Sequence, residues 1–293
     1  MAWFKTQYRK IFLAILIVFI IGFGFLLWQA QQPRLLKVAF LNIGQGDAIY
    51  IEAPNGNQVL IDGGPGRQVL RALGRVMPWT DHSLDLVIAT HPDADHIGGL
   101  PAVLERYQVA LVMDNGQPSD TSYYQAWAAA SALTVKHGAN KILAKRGERI
   151  VLDQEKNVFL DILFPLDIPT GKDTNDGSIV ARLTFGQSSF LLTGDATLKV
   201  EGNLLALDPA GVKAVVLKAG HHGSKTSSGP DFVRAVAPAY AIISAGLHNR
   251  YGHPHQSVLD TLTAAGATIF RTDEQGTIVC TSDTLVTNCA PAT

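Results

Sequence analysis

Cysteine is scarce in this chain of 293 residues: only Cys280 and Cys289 occur, both near the C-terminus. They lie far from the histidine-rich segments, so thiolate ligation of a metal is not expected there. Net charge is scarce too, at −1. Without a global basic field, the composition argues weakly against a nucleic-acid substrate and leaves room for a local basic groove. No repeat with a period of 20 to 50 residues is present, which excludes a solenoid. No linker divides the sequence beyond residue 36, so one large domain is expected there.

Charge is missing altogether between Lys10 and Arg34. Within that gap "IFLAILIVFIIGFGFLLW", Ile11 to Trp28, is about long enough to cross a hydrocarbon core as a helix. Lys5, Arg9 and Lys10 precede it, which predicts a cytoplasmic N-terminus. We therefore expect residues 1–10 in the cytoplasm and a single-pass transmembrane anchor at 11–28, in the inner or cytoplasmic membrane. A linker at 29–36 and a globular domain at 37–293, outside the cytoplasm, should follow. The alternative is a cleaved signal peptide and secretion. Trp28, two residues before Ala30, makes a poor small-x-small cleavage site. Export in either form favours a disulfide between Cys280 and Cys289.

"KVAFLNIG", "DAIYIEAP" and "NGNQVLIDGG" alternate around Gly-rich turns, a pattern of antiparallel strands. "LDLVIAT", Leu84 to Thr90, reads as a buried strand, and "IGGLPAVLERY" as the helix after it. "VALVMDNG" reads as a strand and "SYYQAWAAASAL" as a helix. "SIVARLTFGQSSFLLTGD", Ser178 to Asp195, reads as a hairpin turning at Gly186-Gln187. "TLKVEGNLLAL", "PDFVRAVAP" and "HQSVLDTLTAAG" read as helices, and "VKAVVLKAG" and "YAIISAG" as strands. "ATIFRTDEQGTIVCTS" reads as a final pair of strands. Strands precede helices in two rounds, which suggests an α/β fold of two packed sheets with helices outside.

The segment "THPDADH" concentrates His91, Asp93, Asp95 and His96. If the strand persists, His91 and Asp93 point the same way, while Asp95 and His96 open a helix and point from another direction. One short run could thus face two metals, since imidazole nitrogen and carboxylate oxygen both bind divalent transition metals. Helix capping by Asp93 or Asp95 would account for one of the four and leave three unexplained. Further ligands stand at other strand ends: Asp62 after "QVLI", Asp195 in "LLTGD", His221 and His222 after "VVLKAG". Such loops tend to converge at one edge of a sheet. Taken singly, Asp62 and Asp195 could each stabilise a turn; taken with the cluster, they point to metal.

"THPDADHIGGL" resembles the metal-binding motif of the metallo-β-lactamase superfamily, and "LIDGG", "LLTGD" and "KAGHHGSKTSS" match its further motifs in order. More narrowly, Val38 to Gly66 resembles the C-terminal hydrolase domain of ComEC-type competence proteins, as do "HHGSKTSS", "AIISAG" and "NRYGHPH". The resemblance implies an αββα sandwich of two mixed sheets with outer helices, preceded here by the one transmembrane helix. It implies two divalent metal ions, Mn2+, Zn2+ or Mg2+, at the sheet edge. His91 and Asp93 would bind one, Asp95, His96 and His221 the other, with Asp195 bridging. His222 would stand beside them, and Asp62 would orient the histidines. The superfamily often has another histidine on the hairpin strand before "TGD". This chain has none; Asn175, Asp176 and Ser178 stand in that region, Asn175 as support and Ser178 as a substrate contact. Asp93 replaces the histidine of the commoner motif, and its harder oxygen shifts preference from Zn2+ towards Mn2+ or Mg2+.

The implied reaction is hydrolysis by a water activated between the metals, with Asp95 at the reacting centre. His222, His253 and Lys225, in that order, are candidates to deliver a proton to the leaving group. Lys218, Lys225 and Arg250 would contact phosphate, or else form a solvated rim. We expect a membrane-anchored, extracytoplasmic phosphodiesterase or nuclease, with DNA among the candidate substrates. The alternatives are a hydrolase of a small or cell-surface substrate (phosphocholine ester, lactone or β-lactam) and a non-catalytic metal-binding domain. The sequence contains no multi-span channel or oligonucleotide-binding-like domain, so DNA uptake is not carried over. No protein partner is indicated.

Overall fold

The computed structural model describes residues 12–13, 15–24 and 35–292. The chain divides into two units at Arg34/Leu35. In the first, residues 12–13 and 15–24 are helical, with apolar side chains such as Phe12, Val18 and Phe19 exposed. Among the described residues no helix is long and apolar enough to cross a membrane. The anchor predicted at 11–28 is therefore not supported by a helix of spanning length. Residues 11, 14 and 25–28 of it, and 29–34 of the predicted linker, lie outside the described residues.

The second unit is built on two sheets. The first takes β1 (Leu36–Phe40), β2 (Ile49–Glu52), β3 (Gln58–Ile61), β4 (Ser83–Ala89), β5 (Gln108–Asp114) and β6 (Asn140–Leu143). The second takes β7 (Arg149–Asp153), β8 (Val158–Phe164), β9 (Val180–Phe185), β10 (Ser188–Leu192), β11 (Val216–Lys218), β12 (Tyr240–Ile243) and β13 (Thr268–Arg271). β14 (Ile278–Ser282) and β15 (Thr287–Pro291) return to the first sheet, giving the order β15-β14-β1-β2-β3-β4-β5-β6. The second sheet runs β13-β12-β11-β10-β9-β8-β7.

Period-two alternation decides which face each strand buries. Val38 and Phe40 of β1 join Ile88, Leu160, Phe190 and Ile242 in the core between the sheets. Ala39, on the opposite face, packs with Leu60 and Val87 under α1 (Gln68–Val76), α3 (Leu100–Arg106) and α4 (Ser122–Lys136). Outside the second sheet, Leu191, Leu217 and Ala241 pack on α5 (Leu198–Leu207), α6 (Pro230–Val236) and α7 (Gln256–Ala264). The result is the predicted sandwich of two mixed sheets with helices on both outer faces.

Three local features differ from the sequence reading. The helix predicted after β4 is two pieces, α2 (Ala94–Ile97) and α3, broken at Gly98-Gly99. A side chain at Gly99 would run into the carbonyl oxygens of Gly63 and Gly66, so the break lets this turn close on the loop after β3. β13 and β14, read as a final pair, belong to different sheets, separated by α8 (Thr272–Gln275). β15 was not foreseen; it pairs with β14 and carries Cys289 opposite Cys280, the two joined by a disulfide.

β3, β4 and β5 are parallel, as are β10, β11, β12 and β13. The carboxyl ends of β3, β4, β10 and β11 lead directly into Asp62, Thr90, Thr193 and Ala219. That shared edge is where sheets of this kind gather their chemistry.

Candidate metal centre

His91 leaves the end of β4 and is buried. Its Nδ1 lies 3.0 Å from the Thr90 hydroxyl and 3.3 Å from that of Ser178. Thr90 in turn donates to Asp62 through both its backbone N–H and its hydroxyl. The hydroxyl proton is therefore spent on Asp62, and the Thr90 oxygen accepts from His91 Nδ1–H. His96, on α2, places Nδ1 2.8 Å from Asp62 Oδ2. His222 places Nδ1 3.0 Å from the Ser244 carbonyl and 3.4 Å from Asp47 Oδ1. Acceptors around each Nδ1 fix the proton there and leave each Nε2 with a free lone pair.

All three Nε2 atoms are buried and without hydrogen-bond partners, as is Asp195 Oδ1. Buried polar atoms are ordinarily paired, so four converging orphans require an explanation. Asp195 Oδ1 is 3.3 Å from His96 Nε2, and its Oδ2 is 3.4 Å from His222 Nε2. Asp95 Oδ2 lies 3.3 Å from the same His222 nitrogen. Ligand atoms of His91, His96 and Asp195, and those of Asp95, His96 and His222, lie within 4.8 Å of one another. Imidazole nitrogen with carboxylate oxygen is a donor set for divalent metals, and these residues fit one.

Electrostatics agree. Burial pulls the His222 imidazole down, but Asp195 and Asp47 outweigh it and lift it to about 9. Burial also opposes charge on His96, yet Asp195 and Asp62 raise it well above the usual range. A field that draws a proton to these Nε2 atoms draws a divalent cation to the same lone pairs. His91 differs: burial and the neighbouring His96 push it down to about 3, so it presents a neutral imidazole. Asp195 is buried, but His222 and His96 hold its carboxyl well below the usual value.

Close backbone approach builds this cup. Gly194 has φ of +52°, and a side chain there would press at 3.3 Å on both Thr90 and Ser178. Its absence lets Asp195 reach the histidines. His221 and His222 both sit in the left-handed region, at φ 47° and 55°. Such conformations cost about 1–3 kcal/mol each and persist where the surroundings enforce them.

Several assignments change. His222, predicted beside the centre, has its Nε2 within it, whereas His221, predicted as the ligand, is about a quarter exposed with Nε2 3.7 Å from Asp195 Oδ2. The two successive left-handed residues turn the second ring inward. Lys218, predicted to contact phosphate, is fully buried; its ammonium pairs with Asp47 and donates to the Gly194 carbonyl at 3.0 Å. Ser178, predicted to touch substrate, is fully buried behind His91 and accepts from the Asp195 N–H. Asp93 lies at the rim: one oxygen accepts from the Thr174 hydroxyl at 2.6 Å, and the other is 3.8 Å from His91 Nε2. Burial raises its carboxyl, only partly offset by Thr174.

Asp62 holds His96 through Nδ1, and the Asn175 carbonyl accepts from the Ser178 N–H. Asp176 turns away to Lys199 and Thr197. Near the opening, His253 lies 5.4 Å ring to ring from His221, in a loop tied by Asn249. Burial, with His221 and His222 nearby, pushes it down to about 4. Arg250 is exposed and lies over Tyr251. Lys225 is exposed, and its backbone N–H donates to His255 Nδ1.

Asp47 was missed. It is buried, and Lys218 with His222 overcomes the effect of burial to hold it at about 2. Its signal was a Gly-Asp pair at a strand end, the same pair that flags Asp195. Thr90 and Thr174 carried no signal beyond their positions.

The model of the metallo-β-lactamase superfamily matches residues 41–247. ComE operon protein 3 of Bacillus subtilis is 36% identical over 83% of this chain and 32% of its own length. Competence protein ComA of Neisseria gonorrhoeae is 30% identical over 85% of this chain and 33% of its own. The chain thus spans about a third of these relatives. A metallo-hydrolase of the archaeon Ignicoccus hospitalis shares the fold, with a TM-score of 0.51 and 16% identity over 83% of this chain and 98% of that one. Its motifs, fold and relatives agree: the chain belongs to the metallo-β-lactamase superfamily and is related to ComEC-type competence proteins.

Proposed function

We propose that this chain is a metal-dependent phosphodiesterase, with a single-stranded nucleic acid as its leading candidate substrate. The observation that carries the metal part is the convergence of three unpartnered Nε2 atoms on Asp195. His96, His222, Asp95 and Asp195 would hold one divalent ion, and His91, Asp93 and Asp195 a second. Such ions supply Lewis acidity and an activated water. Carboxylate oxygens at Asp93, Asp95 and Asp195 favour Mn2+ or Mg2+ over Zn2+. Kinship to proteins named for competence supports the nucleic-acid substrate.

The surrounding residues have distinct tasks. Asp62, Thr90 and Ser244 keep each imidazole in the tautomer that aims Nε2 inward. His221 and His253, neutral near pH 7 and close to the opening, can take up and pass on a proton. Exposed Arg250 can meet a phosphate. We further propose attachment to a membrane through residues 11–28, with the hydrolase outside the cytoplasm. The uncharged run, its exposed apolar side chains and the Cys280–Cys289 disulfide support this.

The near-neutral charge favours a second reading, a hydrolase of a small or cell-surface substrate. The full chain with Mn2+ should cleave single-stranded DNA and bis-p-nitrophenyl phosphate, and lose both activities on chelation or on Asp95→Ala. Cleavage of lactam or phosphocholine reporters with phosphodiesters untouched would select the second reading. Tight metal binding without any hydrolysis would leave a binding domain.

A further inference from the structure

Glu201 is a buried carboxylate with no cation partner among the described residues. It lies on α5, is 2% exposed, and receives the backbone N–H groups of Ser228 and Gly229, the latter at 2.9 Å. Burying a carboxylate on two neutral donors is costly, and α6 could begin after Gly229 with an ordinary cap. What the arrangement secures is the segment from Ser224 to Gly229. That segment grips Gly220 from both sides: Ser228 Oγ accepts from the Gly220 N–H at 3.2 Å, and Ser227 Oγ donates to the Gly220 carbonyl at 2.6 Å. Leu198, on the same helix as Glu201, adds an N–H bond to the Thr226 carbonyl. Gly220 is followed directly by the left-handed pair His221 and His222. Ser228 is itself left-handed, at φ 56°.

We infer that Glu201 is a positioning residue for the metal centre, acting through Ser227, Ser228 and Gly220 to hold the turn that aims His222 Nε2 inward. Its carboxylate clamps the loop, the two serines clamp Gly220, and the strained turn after Gly220 is thereby enforced. This explains why Ser227 and Ser228 close the segment "HHGSKTSS". The inference rests on the reading of His222 as a metal ligand.

Mn2+ titration calorimetry on the full chain tests it. Glu201→Gln puts an amide N–H against a backbone N–H and should weaken Mn2+ binding about 10-fold, the lower end for loss of an outer supporting partner. Ser228→Ala, which removes only a hydroxyl, should weaken it in the same direction. Combined, the two changes should weaken binding no more than Glu201→Gln alone, because they break one chain of contacts. Glu201→Asp, which keeps the acceptor, should recover part of the loss. Unaltered Mn2+ affinity in both single variants, or losses that simply add, would overturn the inference. If the unaltered chain binds neither Mn2+ nor Zn2+, the metal reading itself fails; normal binding with indifferent variants sinks only the role of Glu201.

Discussion

Asp93 and Lys218 show how much a residue's meaning depends on its partner. Asp93 keeps one oxygen on Thr174 and offers the other towards His91. Asp93→His should raise Zn2+ affinity relative to Mn2+, read by competition between the two ions; an unchanged ratio would count against the carboxylate's role in metal choice. Lys218 is a buried partner of Asp47. Lys218→Met strands that carboxylate in the interior and should lower the unfolding free energy by about 3–5 kcal/mol. Adding Asp47→Asn should recover much of the loss in urea unfolding.

Glu201 gives a pH signature at the same scale. Burial, only partly offset by the two N–H groups, pushes its carboxyl from 4.5 up to about 7. A raised acid binds its proton more tightly when folded. Its contribution to stability is therefore full below pH 4.5 and is lost as pH rises through about 7. Thermal unfolding of Glu201→Gln should show a flatter fall between pH 5 and pH 8 than the unaltered chain. Identical profiles would show that this carboxyl is not raised. The His-Asp cluster, Asp62 and Asp195 were legible because each interrupts an apolar strand end. The pairing of Asp47 with Lys218 was not, because it joins residues far apart in sequence and spans both sheets. Choosing between His221 and His222 was equally out of reach: adjacent rings are sorted only by the left-handed turn.

At the scale of elements, alternation made most strands and the Gly186-Gln187 hairpin legible. It failed where packing, not periodicity, decides. The break between α2 and α3 exists because Gly98-Gly99 closes on the Gly63–Gly66 loop. Gly99→Ala forces a methyl against backbone oxygens and should cost about 1–3 kcal/mol, read as a lowered midpoint of thermal unfolding. β15 is short, has no large apolar side chain, ends in proline and lies at a sheet edge, so its sequence carries little strand signal. Its disulfide to β14 closes a separation of 9 residues. Reduction should cost about 2–3 kcal/mol by chain entropy, seen by unfolding with and without reductant.

At the scale of the molecule, the parallel strands within the two mixed sheets turn their carboxyl ends to one edge, and the candidate centre is assembled there from residues 47 to 222. Both sheets contribute: His91, Asp95 and His96 follow strands of one, Asp195 and His222 strands of the other. A centre split this way forms only when the sheets dock, which couples metal binding to folding. Mn2+ titration of the full chain carrying His222→Ala, beside one carrying His221→Ala, is the most direct test of the centre. Affinity should fall in His222→Ala by more than the roughly 10–100-fold that loss of a supporting partner costs, and stay close to the unaltered value in His221→Ala. The reverse order would contradict the placement of His222 Nε2 in the metal centre.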